Sequence, residues 1–295
     1  MASDHHRVGF FMIEKRKLGY LLVIFGVTLY SFSDAIMKQS MSMYSVHQVI
    51  FLRTIFRFIP ILILIFFAKT NPYKSEKTKA NIFRAVLATC GTYATMTAYK
   101  YSAMTDVFVV GGTTAIFIIP LSVWILKEKF NVLNLVAVIL GFSGIVLAFR
   151  PGSGIFHLGI LFAVIASLIA ALNQVLIKKL AFTESEFTII SYHNTCLILC
   201  AIILGWNSFQ VISADHFFIL SFGGIIGAVA QYSITRAFKL SSSSGLASAA
   251  YVMLIPNTII DYFWFDKTPD LYILGGLILI SSGSYLAFHL QSKLK

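Results

Sequence analysis

Charge is scarce in this chain, and acidic charge is the scarcest. Only 12% of the 295 residues are charged, with 12 Asp and Glu against 23 Lys and Arg, while 58% are hydrophobic. A soluble globular domain carries about 25% charged residues, so this composition excludes a soluble enzyme with one large core. It is typical instead of a protein that crosses the membrane several times.

Cysteine is also rare, and no ligand set or catalytic group accompanies it. The three cysteines, Cys90, Cys196 and Cys200, all lie inside apolar runs. Cys196 and Cys200 share a helical face, but no His or acidic partner completes a metal set, so we expect buried, inert thiols. There is likewise no Gly-rich phosphate loop and no nucleophile beside a base. The sequence therefore predicts no enzyme activity, no metal and no cofactor.

What the chain does contain is an internal repeat. Residues 143–149 read SGIVLAF, and residues 282–288, which lie 139 positions later, read SGSYLAF, with five of seven letters identical. Self-similarity at this period divides the chain into two halves. In a hydrophobic chain, a two-half repeat is typical of transporters whose binding site lies where the halves meet.

The apolar stretches of the chain are long enough to cross a hydrocarbon core, which needs about 20 helical residues. We predict an all-α membrane protein with ten transmembrane helices, five in a first repeat at 18–150 and five in a second repeat at 157–289. Residues 1–17 and 290–295 are predicted to be cytoplasmic tails. An odd number of spans per repeat makes the two copies cross in opposite directions, as inverted repeats. The predicted spans are 18–38, 48–68, 80–99, 104–127, 131–149, 157–179, 187–205, 215–237, 242–265 and 270–289.

Lys and Arg are distributed unevenly between the two sides of this arrangement. With a cytoplasmic N-terminus, 17 of the 23 lie in cytoplasmic segments and 4 at the opposite ends, while Arg53 and Arg57 lie inside the second span. Basic residues concentrate on the cytoplasmic side, so we predict a multi-pass bacterial inner-membrane protein with both termini cytoplasmic. Because the basic residues cluster at span ends, as expected at a membrane surface, we expect membrane lipid and not nucleic acid as a partner. The two-half repeat predicts a small metabolite as the substrate, and a homodimer is left open.

Charged side chains also fall within the predicted spans, where each costs at least about 2.5–3.5 kcal/mol. Asp34 and Arg53 lie at matching depths near the outer ends of spans one and two, so they can pair. The pair is either a structural salt bridge or a substrate or proton site. Arg57 lies one turn deeper on the same helical face, where it meets either an anionic substrate group or backbone carbonyls and a hydroxyl.

The repeat relates further polar residues in the spans. An offset of 140 maps Asp34 onto Gln174 and Arg53 onto His193, so one half presents an acid and a base where the other presents uncharged groups. Tyr93 and Tyr232 are related by 139 and form either a stacking platform or ordinary aromatic packing. The candidate substrate-binding residues are Asp34, Arg53, Arg57, Tyr93, Asn173, Gln174, His193, Gln231 and Tyr232.

Four stretches of sequence resemble the EamA family of the drug/metabolite transporter superfamily. They are residues 33–38 in span one, 51–58 in span two, Arg84 at the start of span three, and 120–144, which closes the first half. Asp266 stands where the family usually has a glutamate. The resemblance covers nearly the whole chain and implies a metabolite permease that works by alternating access.

Within the family, the first three stretches are most similar to S-adenosylmethionine uptake transporters. This resemblance implies uptake or exchange of S-adenosylmethionine, whose sulfonium and ammonium groups suit Asp34 and whose carboxylate suits an arginine. Its adenine suits Tyr93 or Tyr232. An amino-acid or drug/metabolite exporter is the alternative within transport. A non-transporting membrane subunit that flips or tethers a lipid-linked intermediate is the alternative outside it, although such a subunit gains nothing from buried charges.

Overall fold

The computed structural model describes residues 2–101, 104–149, 158–265 and 271–293. Their regular secondary structure is entirely helical, which confirms the all-α prediction for this part of the chain. Short 3-10 helices follow α7 at Trp206–Ser208 and join α9 to α10 at Ala247–Met253. The helices are α1 (Ala2–Ser40), α2 (Val46–Phe67), α3 (Thr78–Tyr101), α4 (Met104–Leu126), α5 (Val132–Phe149), α6 (Leu158–Leu180), α7 (Glu186–Gly205), α8 (Ala214–Leu240), α9 (Ser243–Leu246), α10 (Leu254–Phe265) and α11 (Leu271–Lys293).

Each predicted span coincides with one helix, apart from the ninth, which is the broken segment α9 to α10. Helix α1 begins at Ala2 and therefore runs through most of the predicted tail at 1–17. Within the described residues, five stretches are long and apolar enough to cross a membrane, and three shorter apolar ones lie in α4, α5 and α11. The five are Lys17–Met37, Val46–Phe67, Leu158–Leu180, Glu186–Ser208 and Ala214–Leu240.

The turns that precede α2 and α7 have the same local structure. Each ends in a serine in extended conformation, Ser45 or Ser185, which stands at the helix N-cap. The Ser45 hydroxyl accepts the N–H of Gln48 at 3.3 Å, and the Ser185 hydroxyl accepts the N–H of Thr188 at 3.0 Å. A serine cap of this kind stabilises a helix by about 1 kcal/mol. The repeat at an offset of 140 is therefore visible in backbone geometry as well as in sequence.

Contacts between connections define the two ends of the helical bundle. End I carries the turn at 41–45 and the connection at 206–213, because the Gln48 amide donates to Gln210 O at 2.6 Å and accepts the Gln210 N–H at 3.0 Å. End II carries the loop at 68–77 and the turn at 181–185, because Glu184 accepts the Lys77 N–H at 2.8 Å. The two equivalent turns thus lie at opposite ends of the bundle.

Helix packing exchanges partners between the halves. Helix α1 packs along α8, and its equivalent in the second half, α6, packs along α3. Helix α2 packs on α8, and its equivalent α7 packs on α3, while α2 and α7 contact each other. The approach of α8 to α2 depends on Gly224, where a Cβ would lie 3.0 Å from both Arg53 O and Arg57 N. Small residues permit such close helix contacts in a bilayer.

The ninth predicted span is interrupted in its middle by the 3-10 segment. Tyr251 lies in this segment, is buried, and donates from its hydroxyl to Gly112 O of α4 at 2.8 Å. Its ring occupies the space that a side chain on Gly141 of α5 would need. Pro256 follows as the third residue of α10, where its missing N–H costs no helical hydrogen bond. The break therefore precedes the proline instead of occurring at it.

The cysteines do not lie where the sequence suggested. Cys90 is exposed on the surface of α3, and Cys196 and Cys200 are only partly buried in α7. The prediction of three buried thiols is therefore wrong, because an apolar run in a bilayer has a lipid-facing side as well as an interior side.

Candidate functional site

Asp34 of α1 and Arg53 of α2 form an ion pair close to end I. Arg53 Nη2 donates to Asp34 Oδ1 at 2.5 Å, Nε donates to Ser33 Oγ at 3.1 Å, and Nη1 lies 2.9 Å from Met37 Sδ. Asp34 lies about 9 Å and Arg53 about 10 Å from the end I termini of their helices at 1.5 Å per residue. The pairing expected from matched depth is therefore present, and every nitrogen of the Arg53 guanidinium has a partner.

A tyrosine completes this group, which we call the Asp34 pair (Tyr30, Ser33, Asp34 and Arg53). The Tyr30 ring centroid lies 5.9 Å from Arg53 Cζ, a distance suited to a cation–π contact. Ser33 Oγ donates to Gly223 O of α8 at 2.8 Å, which fixes α1 to α8 beside the pair. The Asp34 side chain retains 39% of its exposure, so the carboxylate remains open to a ligand.

Arg84 of α3 is the largest of the most deeply buried side chains, with 1% of its surface exposed. Its Nη1 donates to Asn173 Oδ1 of α6 at 3.1 Å, and its Nη2 donates to Ile189 O of α7 at 2.6 Å. Its Nε has no partner among the described residues. The 17 basic residues assigned to the cytoplasmic segments include Arg84, and for this residue the assignment is wrong. The guanidinium points into the bundle and joins three helices.

His193 lies between two buried arginines. Its electrostatic neighbours are Arg84 of α3 and Arg57 of α2. Its Nδ1 lies 3.2 Å from Gln231 Nε2 of α8. The repeat maps Arg53 onto His193, but His193 has the Gln231 amide as its partner where Arg53 has the Asp34 carboxylate. The next residue, Asn194, is fully buried. We call Arg57, Arg84, His193, Asn194 and Gln231 the arginine cluster.

Many polar atoms of the arginine cluster are buried without a hydrogen-bond partner among the described residues. They are Arg57 Nε and Nη2, Arg84 Nε, His193 Nε2, both amide atoms of Asn194, and Gln231 Oε1. Buried polar groups in proteins are normally satisfied. This concentration of unsatisfied groups at one place indicates a region whose partners are water or a ligand.

The Asp34 pair and the arginine cluster join into one polar file. Arg57 has Tyr30, Arg53 and Asp34 as electrostatic neighbours. It also neighbours His193, which in turn neighbours Arg84. Arg84 then reaches Asn173. Six helices, α1, α2, α3, α6, α7 and α8, supply these residues, which run from near end I towards end II.

The two candidate tyrosines flank this file separately. Tyr93 packs against the apolar cluster that contains Met37, the residue whose sulfur contacts Arg53, and its hydroxyl lies 3.4 Å from His47 Nδ1. Tyr232 belongs to a different apolar cluster that includes Phe58, and its ring stacks on Phe187 with centroids 5.8 Å apart. The tyrosines therefore do not form one platform.

Of the seven other predicted site residues, the structure joins six in the file and leaves Gln174 half-buried on α6. Three residues of the file were missed: Tyr30, Arg84 and Asn194. Arg84 and Asn194 lie inside the predicted third and seventh spans, where polarity alone is a signal. Tyr30 lies one turn before Asp34, but a tyrosine near a span end is usually an interface residue.

Comparison with known proteins identifies the family. The profile of the EamA-like transporter family matches residues 17–150 and again residues 157–289. The S-adenosylmethionine uptake transporter of Rickettsia felis is 24% identical over 250 residues, which cover 83% of this chain and 84% of the relative. The pseudopaline exporter CntI of Pseudomonas aeruginosa is 22% identical over 274 residues, which cover 91% and 95%.

A crystal structure that is 13% identical to this chain superposes on it with a TM-score of 0.79, over 94% of this chain and 98% of the other, which shows the fold alone. The family profile covers nearly the whole chain in two copies, and several helices are apolar enough to span a bilayer. The protein is therefore a multi-pass membrane protein and belongs to the EamA-like transporter family.

Proposed function

We propose that this protein is a bacterial inner-membrane permease that transports S-adenosylmethionine, by uptake or exchange, through alternating access. The observation that carries this proposal is the polar file between Asp34 and Asn173, in the interior of a member of a transporter family. Burying charges at membrane depth is costly, and a subunit that only tethers a partner has no use for them.

The chemistry of the file suits S-adenosylmethionine. Asp34 keeps an accessible carboxylate for the sulfonium or ammonium group, and Arg57 and Arg84 supply guanidinium groups for the carboxylate. Tyr93, which packs against the apolar cluster that contains Met37, supplies an aromatic face for the adenine. The names of relatives such as the transporter of Rickettsia felis agree with this chemistry.

Ten spans in two inverted repeats, 18–150 and 157–289, are part of the proposal. Equivalent contacts support it: Ser33 on α1 bonds to Gly223 on α8, and Asn173 on α6 bonds to Arg84 on α3. An offset of 140 relates Ser33 to Asn173, and an offset of 139 relates Arg84 to Gly223. Repeats inverted in this way allow the bundle to open alternately at its two ends.

Each end of the bundle has a hydrogen-bonded tether that such opening would break. At end I the tether is Gln48 with Gln210, supported by Tyr44 Oη at 2.9 Å from His216 Nδ1. At end II, Glu184 accepts from Ser75 Oγ and from the Lys77 N–H, both at 2.8 Å. The first tether joins the start of α2, and the second joins the turn before α7, to a connection of the other half, so each can act as a gate.

A cytoplasmic end II, with both termini, is part of the same proposal. The basic residues of the loop at 68–77 and of the other end II connections support it, because Lys and Arg concentrate on the cytoplasmic side of membrane proteins. Single cysteines introduced into residues 69–77 should not react with a membrane-impermeant thiol reagent in intact cells. Labelling of that loop from outside would contradict this orientation.

Uptake by proteoliposomes tests the substrate. Purified protein should accumulate labelled S-adenosylmethionine, and unlabelled S-adenosylhomocysteine should compete better than methionine. If methionine or an aromatic amino acid competes as well as the nucleoside compounds, or if no uptake occurs in either orientation, the substrate assignment is wrong. Export of another charged metabolite is the second candidate, favoured by the similarity to the pseudopaline exporter.

A further inference from the structure

The arginine cluster contains more positive charge than the described residues neutralise. Asp34, the acid nearest to Arg57, is paired with Arg53. The electrostatic neighbour of Arg84 is Cys196, and the part of the chain that the structure describes offers it no acid. The file thus holds three guanidinium groups against one carboxylate.

The unsatisfied atoms of the cluster are mostly donors. Arg57 Nε and Nη2, Arg84 Nε and the Asn194 amide nitrogen are all buried N–H groups without a partner in the described structure. Arg57 is 6% exposed and Arg84 1%, so bulk water does not solvate them. A buried guanidinium that lacks a counter-ion is strongly unfavourable. An anion that accepts hydrogen bonds satisfies the donors and the charge together.

We propose that the arginine cluster binds the carboxylate of the transported substrate, while the Asp34 pair binds its cationic group. Arg57 and Arg84 supply the charge, and His193 Nε2 supplies a neutral hydrogen bond, because Gln231 Nε2 donates to the other ring nitrogen. The substrate is then a zwitterion that lies along the file, with its carboxylate towards end II. This inference rests on the proposed permease function, but it concerns the chemical class of the ligand and not the adenosyl group.

A carboxylate fits the cluster better than a simple halide because guanidinium groups bind carboxylates through two parallel N–H bonds. Inorganic phosphate shares that geometry, so it is included as a competitor. The Arg53 guanidinium, whose nitrogens already have partners, is not part of this anion site.

Matched ligands measure the carboxylate directly. The full-length protein, purified in detergent, would be titrated by calorimetry with S-adenosylhomocysteine and its carboxamide, with methionine and methioninamide, and with phosphate. The acids should bind about 10- to 100-fold more tightly than the amides, because each hydrogen bond to a charged group contributes about 1.5–3 kcal/mol. Equal affinities for acid and amide, no binding of any acid, or tighter binding of phosphate than of the acids would overturn the inference.

Arginine variants assign the preference to the cluster. Arg57→Met and Arg84→Met should reduce the acid-to-amide ratio to near unity while the amide affinity changes little. Arg236→Met is the matched control, because Arg236 is on the surface of α8 and its partner Glu186 keeps Lys239 at 3.5 Å. If Arg84→Met does not fold, the comparison of the acid-to-amide ratios of Arg57→Met and the wild type still tests the proposal. An undiminished ratio in Arg57→Met sinks the proposal.

The two proposals fail separately. If S-adenosylmethionine is taken up but acids bind no more tightly than amides, the anion-site proposal is wrong and the permease proposal stands. If methionine binds more tightly than methioninamide, this preference depends on the arginines, and S-adenosylmethionine is not taken up, the substrate proposal is wrong and the anion-site proposal stands.

Discussion

The two halves of this transporter share local backbone structure but differ in the side chains at equivalent positions. The turns before α2 and α7 have the same serine cap, whereas Asp34 and Arg53 in the first half correspond to Gln174 and His193 in the second. Arg84 in the first half corresponds to Gly223 in the second.

This difference has a physical consequence. Where α8 meets α1, Gly223 allows a direct bond from Ser33 to the backbone, but where α3 meets α6, Arg84 bridges the gap with a long side chain. In the proposed mechanism, inverted repeats help the bundle open at either end, since equivalent contacts are exchanged. A substrate with distinct charged ends needs an asymmetric site, and the substitutions at equivalent positions supply that asymmetry.

The largest loss of uptake is expected from removing the charge of Asp34, whose equivalent in the second half is the uncharged Gln174. Asp34→Asn should abolish S-adenosylmethionine uptake, a loss of more than about 100-fold, because it leaves the Arg53 guanidinium without its counter-ion. The equivalent change Gln174→Ala should cost about 10-fold or less, since a neutral hydrogen bond contributes about 0.5–1.5 kcal/mol. Uptake by proteoliposomes, with folding checked by gel filtration, measures both.

The pairing itself is tested by a double-mutant cycle. Arg53→Ala should be as severe as Asp34→Asn, and the double mutant should be no worse than either, because the two side chains act as one unit. Additive losses would show that the two residues act independently and that the pair is not a functional unit.

The two tyrosines should differ, since Tyr93 packs against the apolar cluster that contains Met37, whose sulfur contacts Arg53, whereas Tyr232 stacks on Phe187. Stacking on an aromatic ring contributes about 1–3 kcal/mol per base, so Tyr93→Ala should weaken binding of S-adenosylhomocysteine by about 5- to 150-fold. Tyr93→Phe should remain near normal. Tyr232→Ala should lose less, because Phe187 covers one face of that ring. Calorimetric titration checks the order, and a larger loss in Tyr232→Ala contradicts it.

The close approach of α8 to α2 is expected to tolerate no added methyl group. Gly224→Ala places a Cβ 3.0 Å from two backbone atoms of α2, so it should lower stability by about 1–3 kcal/mol through overpacking. Gly111→Ala is the matched control within the first half, because nothing lies within 4 Å of its added Cβ. Thermal unfolding in detergent measures both, and equal melting temperatures would contradict the packing argument.

The smallest effects should come from the tethers, and they should have opposite directions. Gln48→Ala weakens the end I tether and Glu184→Ala the end II tether, each by hydrogen bonds that contribute about 0.5–1.5 kcal/mol apiece. Labelling of cysteines placed beside Asp34 from the end I side should rise in Gln48→Ala and fall in Glu184→Ala, by about 2- to 12-fold. Changes in the same direction in both variants would show that the tethers are not opposing gates.

Much of the helical architecture can be predicted from the sequence. The predicted spans coincide with the helices because apolar runs of membrane length have no other way to satisfy their backbone. The pairing of Asp34 with Arg53 followed from depth alone, since the two residues flank a short turn. The break at Ala247–Met253 was missed, because the packing of Tyr251 against Gly141 is a contact between residues distant in sequence.

By itself, the sequence determined the membrane class, the helices, the repeat and the presence of charge at membrane depth, since these depend on local hydropathy and on spacing along one helix. Only the tertiary structure decided which charges meet. Arg84 enters the interior because α6 and α7 present Asn173 Oδ1 and Ile189 O to it, and Arg57 and His193 become neighbours because α2 and α7 pack together. An unpaired buried charge is a property of the space between helices, and the position of one residue in its own span does not specify that space.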